Sequence, residues 1–495
     1  MQFSPKKLFA SFLFFASFIL LFGLLWALRR FPMHDVYNVF FVLDADIHGV
    51  DSSTTRSIIV QIIIPAVLVF AVLCAFFFFV SKNKFFSSFL TSHIFFRSAI
   101  IFFVFTITLM FTALRAWKFP QIFFQVHGES FDSEFYKKNY VDPKNVAISF
   151  PQKKRNLIIL FLESMETSFA SSTDGGLFDV SLIPHLTKLA NENRRFSESE
   201  KLLGGVNLEG TSWTLAGILS KFSGVPYFSP FTKNANGKIS CLQNAVTLGD
   251  VLSENGYHCL FSFGSEKGFE NRDVFLEQHG FEIHDIAWYK KNNFLPNDYK
   301  VFWGFEDAKL FSFAKTELQT LSEKSEPFCF ALLTVDTHFP DGYKDANTLS
   351  LFKKQIMNVI ATSDAQVNDF ISWCKNQSWY SNTTILILGD HNYLAAPLNN
   401  FIKSASHNYD ENSRHWFCTF VNDAPSLVTM HSNKTFSSFD IFPTALESIG
   451  CSVSGSRLAF GMSLYSAEKT LLEMYSREKI NSELMQKTLQ YDALK

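Results

Sequence analysis

NTTILILGDH, residues 382–391, is the stretch on which the fold is read. Its apolar core is β-branched or leucine at every position, with no polar alternation. A short run apolar on both faces suits a strand inside a parallel sheet covered by helices. It ends in a tight Gly389 turn that leaves Asp390 and His391 side by side. Two further runs share this design: NLIILFL (156–162), followed by Glu163, and FCFALLTV (328–335), followed by Asp336, Thr337 and His338. Residues 257–263 make a candidate fourth strand. Helical patterns over 182–193, 248–255, 306–322 and 352–376 separate them. This alternation is the βαβ signature of one large α/β domain over about 150–465.

The rest of the chain differs in kind. Of 495 residues, 47% are hydrophobic and 59 are phenylalanine, far too much apolar surface for a disordered chain. The 44 basic and 46 acidic residues nearly balance, which speaks against a nucleic-acid binder. The balance hides a split: residues 1–118 carry a net charge of +6 and the remainder −8. Before that boundary lie three uncharged apolar runs, 8–28, 57–80 and 98–114. About 20 residues of helix cross a hydrocarbon core roughly 30 Å thick, so each qualifies as a transmembrane span. The first is too long for a signal-peptide core and reads as an uncleaved anchor. Basic residues divide equally between the two sides, so the positive-inside rule gives no orientation. Residues 82–97 mix aromatics with basic ends, as in an interfacial amphipathic helix or a poorly formed fourth span. The expected organisation is a membrane domain over 1–118, a connector over 119–151, an α/β domain over 152–466 and a helical tail over 467–495. The seven cysteines show neither CxxC nor zinc-ligand spacing.

In parallel α/β sheets, ligand sites form at the carboxyl ends of the strands. Three strands therefore deliver Glu163, His338, Asp390 and His391 to one rim. Carboxylate and imidazole donors together suit Mn²⁺ or Zn²⁺ better than Ca²⁺. Residues 203–220 (LGGVNLEGTSWTLAGILS) add a glycine-rich approach, then Thr211, then a helical run. A hydroxyl at a helix N-terminus faces unpaired N–H groups and the positive end of the dipole, which favours an alkoxide and a bound phosphate. Read alone, Thr211 is more simply a helix cap, and Ser212 and Thr214 compete with it. His407 reads as a surface histidine rather than a second-metal ligand.

These residues lie in motifs that resemble the lipoteichoic acid synthase and phosphoglycerol transferase group of the alkaline phosphatase/sulfatase superfamily. The matching segments are NLIILFLESME (156–166), EGTSWTLAGILSKFSGVP (209–226), TLGDVLSENGY (247–257) and FGSEKGFENRDVFLEQHGF (263–281). WGFEDAKLF (303–311), LTVDTHFPDGY (333–343), NTTILILGDH, FDIFPTALESIG (439–450) and RLAFGMSLYS (457–466) come next, in the family's order. The resemblance covers about 135–466 and implies an alkaline phosphatase-like α/β domain, with a mostly parallel sheet covered by helices, behind N-terminal transmembrane helices. It implies Glu163, Thr211, Asp390 and His391 as metal ligands, with Thr211 also the nucleophile. It further implies His338 as the histidine at the phosphate or leaving oxygen, and Arg272 as the arginine on the glycerol phosphate head group. Two departures stand out. Glu270 occupies a position where the group often has an aromatic or glycine, and three spans are fewer than the five usual in lipoteichoic acid synthases.

The function so implied is a metal-dependent phosphoglycerol transferase, with Mn²⁺ the expected ion and Zn²⁺ or Mg²⁺ as alternatives. It would move glycerol phosphate from phosphatidylglycerol to a glycan or glycolipid through a covalent threonine intermediate. The expected location is a bacterial cytoplasmic (inner) membrane, multi-pass, with the catalytic domain extracellular or periplasmic. The rivals are a phosphoethanolamine transferase or ester hydrolase of the same superfamily, and a non-catalytic lipid- or glycan-binding membrane protein. A sulfatase activity is disfavoured because no Cys-x-Pro-x-Arg segment exists to form its nucleophile.

Overall fold

The computed structural model describes residues 5–30, 56–81, 93–116, 128–228, 241–339, 341–393, 414–424 and 431–495. Two compact units emerge, one containing the described residues of 5–116 and the other the described residues of 128–495.

In the first unit, α1 (Pro5–Arg30), α2 (Ile64–Ser81, entered through a π-helical turn at Ile59–Ile63) and α3 (His93–Ala116) are each long and apolar enough to cross a membrane. They hold together through ring contacts such as Phe15–Phe70 at 5.1 Å and Phe9–Phe96 at 6.1 Å. Outward-facing Val72, Phe79 and Ile101 are each about two-thirds exposed, an apolar surface that water would not tolerate. Of the expected interfacial stretch 82–97, residues 93–97 belong to α3 and the remainder lies outside the described residues, as does His407.

The second unit is built on a six-stranded sheet. Its strands are β1 (Asn156–Leu162), β2 (His258–Phe263), β3 (Phe281–His284), β4 (Phe328–Leu333), β5 (Thr383–Gly389) and β6 (Cys418–Val421). They are ordered β3-β2-β4-β1-β5-β6, with every neighbouring pair parallel except β5–β6. All seven residues of β5 and all six of β4 are buried, which explains why neither alternates in the sequence. The helices fall in the expected stretches: α4 (Pro184–Glu192), α5 (Thr214–Ser223), α6 (Leu248–Glu254), α7 (Asp307–Ser322) and α8 (Gln355–Lys375). Strands β3 and β6 leave little trace in the sequence because both are only four residues long. The register sets Leu162 of β1 beside Gly389 of β5 and Phe161 beside Leu333 of β4. Glu163, Asp390 and the segment after β4 therefore leave the sheet at one level.

Two segments that look peripheral in the sequence are built into this unit. The stretch before β1 buries Phe135 and Tyr136, and pairs Ile148–Ser149 with Ser452–Val453. The tail, expected to be helical, consists of three short helices, Leu471–Met474, Arg477–Leu484 and Leu489–Asp492. It buries Ile480, Leu484 and Tyr491 and grips the chain on both sides of α5. Asn481 Oδ1 accepts the Glu209 N–H at 2.9 Å. The Tyr491 hydroxyl donates to the Pro226 carbonyl at 3.0 Å and accepts the Phe228 N–H at 3.2 Å. Tyr491→Phe removes both hydrogen bonds from a buried site, so chemical denaturation should show a loss of about 1–3 kcal/mol. Unchanged stability would contradict the clamp.

Candidate active site

The site is assembled from segments that the parallel register brings to one rim. Glu163 directly follows β1, and Asp390 and His391 follow β5. The three offer ligand atoms that all lie within 4.8 Å of one another, and all three residues are buried. Their orientation is enforced from behind. Asp390 Oδ1 accepts the backbone N–H groups of Ser164 and His391, both at 2.7 Å. Ser164 sits in the left-handed region at φ 54° and donates its hydroxyl to Glu163 Oε1 at 2.6 Å. His391 Nδ1 lies 2.7 Å from the Asn392 carbonyl, which can only accept. The ring proton therefore sits on Nδ1, and the Nε2 lone pair faces Glu163 Oε1 at 3.6 Å and Asp390 Oδ2 at 3.5 Å.

These atoms fit a divalent cation. Asp390 Oδ2 is buried without a hydrogen-bond partner, 3.5 Å from His391 Nε2. Burial, and then the negative charge of Asp390, push the Glu163 carboxyl well above the usual carboxylate range. Two carboxylates so close cannot both ionise in a dry site without a positive charge between them. Two carboxylates, a neutral imidazole and a hydroxyl form a hard-to-borderline donor set of the kind Mn²⁺ or Zn²⁺ accepts.

The hydroxyl that lies against these donors in the structure is that of Thr214. Thr214 Oγ1 donates to Glu163 Oε2 at 3.1 Å and lies 3.3 Å from His391 Nε2. It is half-buried and is the first residue of α5, where backbone N–H groups are unpaired. Thr211, by contrast, is fully buried. Its hydroxyl accepts the Leu208 N–H and donates to the Leu208 carbonyl, both at 2.9 Å, closing the turn before the helix. The sequence marks a glycine-rich approach but not where the helix begins. Trp213 is extended at φ −133°, so the helix starts three residues after Thr211.

His338 and Arg272 lie outside the cluster on neighbouring segments. The hydroxyl of Thr337, next to His338, donates to the Glu163 carbonyl at 2.5 Å, tying the loop after β4 to the cluster. His338 itself is half-buried among aromatic rings, with Trp303 at 4.9 Å and Phe339 at 4.7 Å. Arg272 is buried beyond the end of β2, held by the Ser265 hydroxyl at 3.0 Å and the Phe269 carbonyl at 3.1 Å. Burial lowers its pKa, while Glu270 and Glu163 pull the other way. Burial lifts the Glu270 carboxyl to about 7, while the Arg272 charge pulls it the other way.

Two supporting residues had no sequence signal. Lys221, on α5, is fully buried and donates to the Asp390 carbonyl at 2.7 Å, with its ammonium 4.2 Å above the Trp416 ring. Burial brings its pKa down to about 7. Gly217 lets α5 press onto the end of β5: a Cβ there would lie 2.2 Å from the Asp390 carbonyl oxygen. Gly217→Ala should force helix and strand apart at a cost of about 1–3 kcal/mol, with loss of activity in excess of the unfolded fraction. A variant as stable and active as the wild type would refute this contact.

The loop carrying His338 is braced by two more carboxyls. Asp307 accepts the N–H groups of Val335 at 2.7 Å and Asp336 at 3.0 Å, while Asp336 accepts the Asp307 N–H at 3.1 Å. Burial, then repulsion from Asp307, pushes Asp336 up to about 9, and burial raises Asp307 to about 7. The unfolded chain releases these protons near pH 4, whereas the folded one retains them. Their contribution to stability is therefore full in acid and is lost as pH rises towards 9. Melting temperatures of Asp336→Asn should exceed those of the wild type by a margin that widens from about pH 5 to about pH 9. Parallel curves would refute the assignment.

Comparison with known proteins agrees with this architecture. Residues 155–451 match the Sulfatase family. A segment of 256 residues is 32% identical to proteins named phosphoglycerol transferase I from Escherichia fergusonii and Salmonella paratyphi B. That segment is 50% of this chain but only 32% of either relative, so the match covers about a third of their length. The crystal structure of the lipoteichoic acid synthase LtaP from Listeria monocytogenes shares the fold at TM-score 0.50 and 18% identity, over 65% of this chain and 80% of that one.

Proposed function

This chain belongs to the Sulfatase family, and on that premise we propose that it is a membrane-anchored phosphoglycerol transferase. It takes glycerol phosphate from phosphatidylglycerol and passes it to a hydroxyl of a glycan or glycolipid. The observation that carries the reading is the contact of the half-buried Thr214 hydroxyl with both Glu163 and His391. The relatives named phosphoglycerol transferase I support the choice of group transferred.

A divalent cation held by Glu163, Asp390, His391 and Thr214, with Mn²⁺ the first choice, would supply Lewis acidity that lowers the hydroxyl pKa and neutralises phosphate charge. Thr214 gives its proton to solvent and its Oγ attacks phosphorus, the phosphorus–oxygen bond to diacylglycerol breaks, and glycerophosphate remains on the threonine, which recovers a proton from solvent when the acceptor displaces it. Arg272 orients the phosphate, its own guanidinium fixed by Ser265 and Phe269. His338 supplies the proton to the departing oxygen, then takes one from the acceptor hydroxyl that displaces Thr214. The N–H groups at the start of α5 steady the negative charge that grows on phosphate in both steps. Helices long and apolar enough to span a bilayer suit a lipid donor, because tethering replaces a search through solution. Reaching that donor from outside the cell places the catalytic unit on the outer face of the cytoplasmic membrane.

Thr214→Ala in the full chain should cut release of labelled diacylglycerol by roughly 10³ or more. Thr211→Ser should stay within a few-fold of wild type. Mass spectrometry should find the glycerophosphate adduct on Thr214. An adduct on Thr211, or turnover retained without Thr214, would reject the assignment.

A further inference from the structure

Charge in the membrane unit has one sign. Its described residues, 5–30, 56–81 and 93–116, include no aspartate or glutamate. Side-chain contacts fix how the helices run. Phe9 meets Phe96 at 6.1 Å and Phe18 meets Phe102 at 5.5 Å, so α1 and α3 are parallel. Phe15 meets Phe70 at 5.1 Å, and the Trp26 indole N–H donates to the Ser57 hydroxyl at 3.0 Å, so the span containing α2 runs against them.

This arrangement gathers three arginines at one end. Arg29 follows Phe18, and Arg115 follows Phe102, by roughly 16 and 20 Å of helix at 1.5 Å per residue. Arg56 adjoins Ser57, the partner of Trp26, which lies one turn before Arg29. All three arginines are exposed, and none has an ion pair among the described residues. The apolar spans stop at the same place: they cover Phe9–Arg29, Arg56–Phe76 and Phe96–Ala116, each 21 residues long. That length matches a hydrocarbon core about 30 Å thick, so the guanidiniums lie at the depth of the lipid phosphates. The aspartates between the first two spans, Asp35, Asp44, Asp46 and Asp51, lie outside the described residues.

The setting selects the partner. Arginines that only anchor helix ends collect on the cytoplasmic side of a membrane. The chain passes from the end of α3 towards the catalytic unit, so on the transferase reading these arginines face outward, where basic residues are depleted. A need for positive charge at that face explains their retention. A guanidinium is always charged and meets a phosphodiester through paired N–H donors. A choline lipid neutralises its phosphate with its own cation, whereas a glycerol head group leaves the negative charge uncompensated. The surface therefore favours anionic over zwitterionic lipid.

We propose that Arg29, Arg56 and Arg115 form a collar that holds anionic phospholipid by its phosphodiester at the outer end of the membrane unit, keeping phosphatidylglycerol concentrated beside the catalytic unit's own anchor. The choice of face and of lipid rests on the transferase reading above; binding of anionic lipid at this end does not. The test places the full chain in phosphatidylcholine nanodiscs doped with photoactivatable phosphatidylglycerol or photoactivatable phosphatidylcholine, and locates the labelled peptides by mass spectrometry. The glycerol lipid should label the peptides around Arg29, Arg56 and Arg115 about fivefold more than the choline lipid. Replacing all three (Arg29→Gln, Arg56→Gln, Arg115→Gln) should remove that excess, while Arg97→Gln, at the opposite end of α3, should leave it. Raising salt to about 1 M should cut the excess on the wild type, a measurement that needs no variant to fold. Equal labelling by the two lipids, an excess that survives the triple substitution, or one indifferent to salt would overturn the collar. Turnover is read separately: the triple variant should raise KM for phosphatidylglycerol about fivefold at unchanged kcat. An unchanged KM would also overturn the proposal. A chain that holds phosphatidylglycerol at the collar without releasing diacylglycerol rejects the donor and keeps the collar.

Discussion

Two carboxylates, Glu163 and Asp390, are forced together at the ends of adjacent parallel strands, and the chemistry of the domain depends on that enforced repulsion. The β1–β5 register sets their level, and the backbone N–H groups of Ser164 and His391 hold Asp390 in place. Lys221 reaches through the interior to the Asp390 carbonyl, and Gly217 allows α5 to close onto the same peptide. Two buried carboxylates so placed cost folding energy by themselves, and a cation bound between them would offset that cost.

Much of this could be read from the chain alone, for an identifiable reason. Strands buried on both faces leave continuous apolar runs, and in a parallel sheet the residues just past the carboxyl end of each strand must face the ligand rim. Glu163, Asp390 and His391 were therefore legible as residues and as a group. Three helices of membrane-spanning length were equally plain, because lipid tolerates nothing but a long uncharged run.

The features hidden from the sequence depended on fractions of a helical turn. Thr211 and Thr214 are three residues apart with similar neighbours, and only the extended Trp213 decides which of them opens α5. Lys221 resembles any helical lysine until its burial is seen. The tail reads only as helical in the sequence because its contacts around α5 are with residues more than 250 positions away.

The account is tested most directly by counting the metal. Mn²⁺ titrated into the chelator-treated full chain and followed by electron paramagnetic resonance should show one tightly bound ion per chain. Glu163→Gln and His391→Ala should each abolish that class of site, while Thr211→Ser should leave it intact. A wild-type chain that binds no ion, or variants that bind it as tightly as the wild type, would contradict the account.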